Sequence, residues 1–209
     1  MSEIHRFAVW QITETAGFDS AAITIRDLQV TARGTAVWQL PKPCWIRYEL
    51  TTDPRGEHRR LTAQITTDDG RHSTLDLQRE AGQWRVDGTL RPDLAAAADC
   101  DLAGCPLTNL MPVRRSGLHH APGRQDFVMA FVQVPSLRVV AVPQTYEHLR
   151  PTENGALVRY SSGTFASDLL LDPDGIVLEY PSLGTRVPAR SPIGPAQRAD
   201  GPGSLRPSG

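Results

Sequence analysis

Residues Arg59–Gly88 read RRLTAQITTDDGRHSTLDLQREAGQWRVDG, and their apolar positions recur at every second residue. Leu61, Ala63 and Ile65 alternate with polar neighbours; the chain breaks at Asp69-Gly70, and Leu75 and Leu77 resume the alternation. A second break follows at Glu80-Ala81-Gly82-Gln83, after which Trp84 and Val86 carry the pattern on. Side chains of a strand point alternately to its two faces, so a period of two marks strands with one buried face. Asp-Gly between two such runs is the strongest short-range hairpin signal. The stretch predicts consecutive antiparallel hairpins.

The same pattern continues in both directions. DFVMAFVQV (residues 126–134) and LRVVAV (residues 137–142) are parted by Pro135-Ser136, and FASDLLLD and GIVLEY meet at the tight turn Asp172–Gly175. No long segment has helical apolar spacing; PDLAAAADC, residues 92–100, allows two turns of helix at most. About ten short strands joined by tight turns predict an all-β, mainly antiparallel fold. A sheet of that size closes or folds over itself, as one strongly curved sheet or a half-open barrel. With no repeat, and no linker between Glu3 and Arg186, residues 1–187 read as one β domain. From Pro188 on, five prolines, four glycines and no aromatic residue predict a disordered tail, residues 188–209.

Bulk properties narrow the function. A chain of 209 residues buries a sizeable core. Its 22 basic and 23 acidic residues leave a formal charge of −1, without the basic excess of a nucleic-acid binder or of a surface built for anionic lipid headgroups. MSEIHRFAVWQITE lacks the pattern of a signal peptide, and no window holds the roughly 18 apolar residues of a membrane span, so the expected location is cytoplasmic. Cys44, Cys100 and Cys105 are then expected as free thiols.

The densest chemistry lies at residues 99–117, DCDLAGCPLTNLMPVRRSG. A zinc site would draw on Cys100 and Cys105, with Cys44, His119 or His120, but C-x4-C without a second pair is a poor match, and no metal is expected. Asp99 and Asp101, two apart, share a face of an extended segment; beside Arg114 and Arg115 they read as an ion-paired brace. The arginine pair also suits an anionic headgroup, and in a strand its members face opposite sides. His119 and His120, adjacent, are likewise expected on opposite faces, and no Ser-His-Asp set is nominated. Asp172-Pro173-Asp174-Gly175 lacks the later ligands of a calcium loop and reads as a hairpin turn. Thr108 and Asn109 suit hydrogen bonds to loop backbone. The tryptophans and tyrosines, spread over the strands, are expected mostly in the core, some lining a cavity.

In order along the chain, several of these residues form a recognisable pattern. It runs D-x-D-L at Asp99, Asp101 and Leu102, then P-x-T-N-x-x-P-V-R-R at Pro106, Thr108, Asn109, Pro112, Val113, Arg114 and Arg115. Next come Gln144, Tyr146, Tyr160 and Phe165, the D-x-D-G turn at Asp172, Asp174 and Gly175, and Y-P-x-L-x-x-R at Tyr180, Pro181, Leu183 and Arg186. The pattern resembles the bacterial putative glycolipid-binding protein family over about residues 7–187, most specifically from Trp84 onward. GFDSAAI and TTDPRGEHRR depart from the family's N-terminal strands.

The resemblance implies a large curved sheet around an apolar cleft, similar to periplasmic lipoprotein carriers, that holds a glycolipid or like amphiphile without catalysis or cofactor. Acyl chains would lie on Val, Leu and Phe, with the headgroup near Arg114 and Arg115. Thr108, Asn109, Trp84, Tyr146 and Tyr160 complete the expected ligand-binding set, and Asp99 and Asp101 form its brace. The rival readings are an enzyme acting on a lipid or sugar-lipid through Asp99, Asp101 and Arg115, and a structural module without a small ligand.

Overall fold

The computed structural model describes residues 3–188; the expected tail lies, from residue 189 on, outside the described residues. The chain opens with a meander of eight strands: β1 (Glu3–Ile12), β2 (Gly17–Arg26), β3 (Gln29–Trp38), β4 (Cys44–Thr52), β5 (His58–Thr67), β6 (His72–Glu80), β7 (Gln83–Val86) and β8 (Thr89–Leu90). Each pairs antiparallel with the next. The β6–β7 and β7–β8 connections are two-residue turns with both central residues at positive φ: Ala81 (49°) and Gly82 (78°), then Asp87 (51°) and Gly88 (80°). These turns match the right-handed twist of the flanking strands, which is why Gly follows Ala or Asp there.

The chain then crosses to β9 (Ala97–Leu102), which lies parallel to β10 (Arg124–Val132), and a second antiparallel meander follows. It comprises β11 (Val139–Thr152), β12 (Gly155–Ser162), β13 (Phe165–Leu171), β14 (Val177–Tyr180) and β15 (Gly184–Arg186). β15 pairs antiparallel with β1, so all fifteen strands form one sheet whose edges are β8 and β9. The sheet is mixed by that single parallel pairing.

Only residues 91–96, including a 3₁₀ turn at Pro92–Leu94, separate the two edge strands in sequence. That link reaches about 25 Å at most, whereas fifteen strands laid flat would be about 65 Å wide. The sheet therefore has to roll until its edges nearly meet. They are joined by side chains instead of a strand ladder: Trp84 Nε1 donates to the Ala97 carbonyl (3.1 Å) and Arg79 Nη1 to that of Ala98 (3.4 Å). His58 stacks on Trp84 (4.9 Å between rings), buried so fully that its pKa falls to about 3.

Alternation decides what faces inward. β4 and β2 bury every second residue, including Ile46, Leu50, Ile23 and Ile25, and Trp10, Leu61, Ile65 and Leu77 join them inside the roll. The interior is not an empty cleft. Residues Pro106–Asn109 form a 3₁₀ turn and Leu110–Arg115 a short helix, α1; every residue from Cys105 to Val113 is buried. This plug corrects two expectations: Arg114 and Arg115 sit on a helix, not a strand, and His119 and His120 lie in a turn with rings 3.8 Å apart, not on opposite faces. Prolines at 106 and 112 occupy early helical positions where no amide donor is needed. A segment buried on all sides shows no amphipathic period, which hid it. PDLAAAADC yields only the 3₁₀ turn before joining β9.

Candidate functional site

α1 runs back along β9, so the two aspartates of that strand meet opposite ends of the plug. At its start, Thr108 Oγ1 donates to Asp101 Oδ1 (2.7 Å). At its end, Arg115 Nη1 donates to Asp99 Oδ1 (2.8 Å), and Nη2 lies 2.7 Å from Oδ2. Arg115 also donates to the Gly56 carbonyl (3.2 Å) and lies over the Phe127 ring (5.5 Å). Arg114 donates to the carbonyls of Asp174 and Asp27, both at 2.7 Å. The two arginines thus staple the plug to β9, the β2–β3 and β4–β5 turns and the Asp172–Gly175 turn. Asp172 Oδ1 accepts the amides of Asp174 and Ile176, and Oδ2 accepts Arg186 Nη1 (2.6 Å): a braced hairpin turn.

The open end of the roll holds a cavity of about 700 Å³. Trp38, Phe131, Tyr160, Phe165 and Tyr180 wall it; Asp101, Cys105 and Asn109 line its inner part, and Leu40, Pro41 and Phe165 its exposed rim. Tyr160 is the hub of the aromatic wall, 6.0 Å from both Phe165 and Tyr180 and 5.3 Å from Tyr146. Gly104, at φ 72°, brings backbone against Trp38: a β-carbon there would lie 2.4 Å from the indole Cζ2. Glycine is what lets that ring form the wall.

Behind the cavity runs a polar chain. Gln144 Nε2 donates to Asp101 Oδ2 (2.6 Å), and the Tyr146 hydroxyl donates to Asn109 Oδ1 (2.9 Å) and lies 3.3 Å from Gln144 Oε1. Among the described residues Asp101 has no cationic partner; burial raises its pKa, opposed by the Gln144 and Thr108 hydrogen bonds. Beside Cys105, Asp19 is fully buried and accepts the Tyr48 hydroxyl (3.0 Å). Burial lifts its pKa to about 7, against the pull of Cys105 and Tyr48. Burial holds the Cys105 thiol well above its ordinary range, which keeps it protonated and a poor nucleophile.

The residues singled out in the sequence fall into two groups. Asn109, Tyr160 and Asp101 line the cavity, with Thr108 and Tyr146 one hydrogen bond behind them. Arg114, Arg115 and Asp99 lie along the plug, and Trp84 is fully buried at the sheet seam; none of these four lines the cavity. Asp101 is braced by Thr108 and Gln144, not by an arginine. All three cysteines are free, and among the described residues no three His, Cys, Asp or Glu side chains converge in a metal-binding group. The sequence placed Trp38 and Tyr180 among aromatics of which some line a cavity without singling them out, and did not mark Phe131 or Phe165 as walls. Phe165 and Tyr180 carried a signal, since both belong to the closing part of the quoted pattern.

Fold and site together define a rolled, open-sided β-sheet protein with a helical plug and an aromatic-walled internal cavity. The chain belongs to the family described as "Putative glycolipid-binding", whose profile matches residues 7–186. The crystal structure of a DUF1089-family protein from Pseudomonas aeruginosa is similar, with a TM-score of 0.68 and 26% identity over 81% of this chain and 92% of that one. A β-barrel-like protein of the domain of unknown function DUF1849 from Brucella abortus gives a TM-score of 0.48 and 11% identity, over 88% of this chain and 93% of that one. No curated protein matches the chain. Among the described residues no helix is long and apolar enough to cross a membrane.

Proposed function

We propose that this protein binds an amphiphile of the glycolipid class in the cavity at the open end of its rolled sheet, without chemical conversion. The observation that carries this reading is the cavity itself: about 700 Å³, walled by five aromatic rings and open to solvent across an apolar rim. Pockets of about 300–1,000 Å³ with apolar walls and a few polar groups are the usual form of a small-molecule site. Family membership supports the ligand class. The enzyme reading loses support because its acids are divided: Arg115 engages Asp99, while Asp101 sits apart with Thr108 and Gln144.

Native mass spectrometry of gently purified protein, with thermal shifts across a panel of glycolipids and phospholipids, tests the proposal. We expect a retained lipid mass, or a shift equivalent to about 2.7 kcal/mol at a hundredfold excess over Kd. A clean apo mass with no shift from any amphiphile sinks it.

A further inference from the structure

The rolled sheet has two unlike ends. At one, Arg114 and Arg115 hold the β2–β3, β4–β5 and β13–β14 turns to the plug. At the other, the β1–β2, β3–β4, β12–β13 and β14–β15 connections surround the cavity mouth. The β5–β6 turn lies beside them, its Asp68 amide donating to the Pro43 carbonyl (3.1 Å). Of the nine large apolar side chains exposed among the described residues, five lie at this open end: Phe18, Val37, Leu40, Trp45 and Phe165.

Register places three of them in one row. Phe18 pairs with Val37, and Val37 with Trp45, so they stand side by side on the outer face with β-carbons about 5 Å apart. Trp38, next along the chain from Val37, points inward and walls the cavity. Leu40, Pro41 and Phe165 carry apolar surface on the rim itself. Two residues back along the strands the outer face turns polar, where Ser20, Thr35 and Arg47 are in register. The apolar band is therefore one row deep, with about 7 Å between rows.

Area, depth and charge narrow what covers this band. About half of each of the five side chains is exposed, roughly 500 Å² in all. A standard protein interface takes roughly 800 Å² from each partner, so the band is small for a second copy of the chain. Its depth matches the about 5–10 Å by which apolar groups enter the boundary between lipid headgroups and acyl chains, a region suited to Trp, Phe and Leu. The loops of the open end carry Lys42, Arg71 and Arg138 against Glu14, Asp68 and Asp69, and so no net charge. Lys42 is further paired with Asp68 and Asp69. Nothing in that balance attracts an anionic surface, and it suits a zwitterionic one.

We propose that the protein docks its open end on the surface of an electrically neutral lipid bilayer. Phe18, Val37, Leu40 and Trp45 enter the headgroup boundary, and the cavity mouth faces the membrane. The docking surface lies on the outer face and strand ends, whatever fills the cavity, and thus goes beyond the ligand reading.

Flotation of the full chain with phosphatidylcholine vesicles tests this. The wild type is expected to float with the vesicles, and its tryptophan emission to shift to the blue. Trp45 is 56% exposed and the other three tryptophans at most 6%, so the shift reports on the proposed surface. Phe18→Ser with Trp45→Ser is expected to weaken partitioning at least tenfold, and each single change about threefold if the double variant fails to fold. Phe7→Ser removes a more exposed ring from the middle of β1 and stays within about threefold of the wild type. Phosphatidylglycerol vesicles or 1 M salt change partitioning by less than about threefold.

The proposal is overturned if the wild type does not float, if the outer-row variants float as well as it does, or if Phe7→Ser loses as much as they do. A requirement for anionic lipid overturns it too, as does a dimer in sedimentation equilibrium that the double variant abolishes. Phe18 and Trp45 do not line the cavity. Failed flotation with thermal shifts on the lipid panel intact therefore overturns this inference alone, and absent shifts with flotation intact overturn only the ligand reading.

Discussion

Removing the Arg115 side chain tests the stapled plug most directly. Asp99 is 0% exposed, and the guanidinium meets it at 2.8 and 2.7 Å. Arg115→Ala leaves a buried carboxylate without its cation, a change that costs about 3–5 kcal/mol. A charge-free replacement of both partners, Arg115→Met with Asp99→Leu, is expected to return to within about 1 kcal/mol of the wild type, because neither buried charge then needs compensation. The penalty also has a sign in pH. Burial already raises the Asp99 pKa above its ordinary 3.8 despite Arg115, and losing Arg115 raises it further.

A folded-state carboxyl with a raised pKa binds more protons than its unfolded counterpart, so stability is lost as pH rises through that interval. The Arg115→Ala penalty is therefore larger at pH 7.5 than at acid pH, where protonation of Asp99 in the folded variant relieves the uncompensated buried charge. Urea unfolding followed by far-ultraviolet circular dichroism, at pH 7.5 and 4.5, measures both effects. A cost under about 1 kcal/mol at pH 7.5, or the same cost at both pH values, would refute the stapling account. Folded Arg115→Ala protein is expected to keep its amphiphile affinity, since Arg115 does not line the cavity.

Two further outcomes follow from the cavity's surroundings. Asp19, lifted from 3.8 to about 7, makes the wild type lose up to roughly 4 kcal/mol relative to Asp19→Asn between pH 4 and pH 7. His58 and His119, both pushed down by burial, titrate in the two proteins alike and cancel from the difference measured by urea unfolding. Gly104→Ala places a methyl against the Trp38 indole at a backbone φ of 72°, and should cost about 2 kcal/mol, change the tryptophan emission and weaken amphiphile binding. An unchanged melting temperature and spectrum would show that the Trp38 wall does not depend on that close approach.

Strands, their inward faces and their turns were determined by the sequence, because they depend on neighbours within a few residues. Leu61, Ala63 and Ile65 all face inward as their alternation requires, and the turns at Ala81-Gly82 and Asp87-Gly88 adopt the positive φ values that such pairs favour. The motif also marked Asp101, Asn109 and Tyr160, three residues that line the cavity. What the tertiary structure alone decided came from long-range closure. The six residues between β8 and β9 force the sheet to roll, and the plug that fills the roll has no periodic signature because it is buried on every side.

Asp99 and Asp101 share a face of β9 as their spacing implied, yet α1 runs back along the strand and gives one an arginine and the other a threonine and a glutamine. Local sequence marks a carboxylate as available for pairing, but which partner reaches it depends on how segments distant along the chain pack together. That packing commits the side chains of both arginines to neighbours of the plug and forms the aromatic cavity beside Asp101.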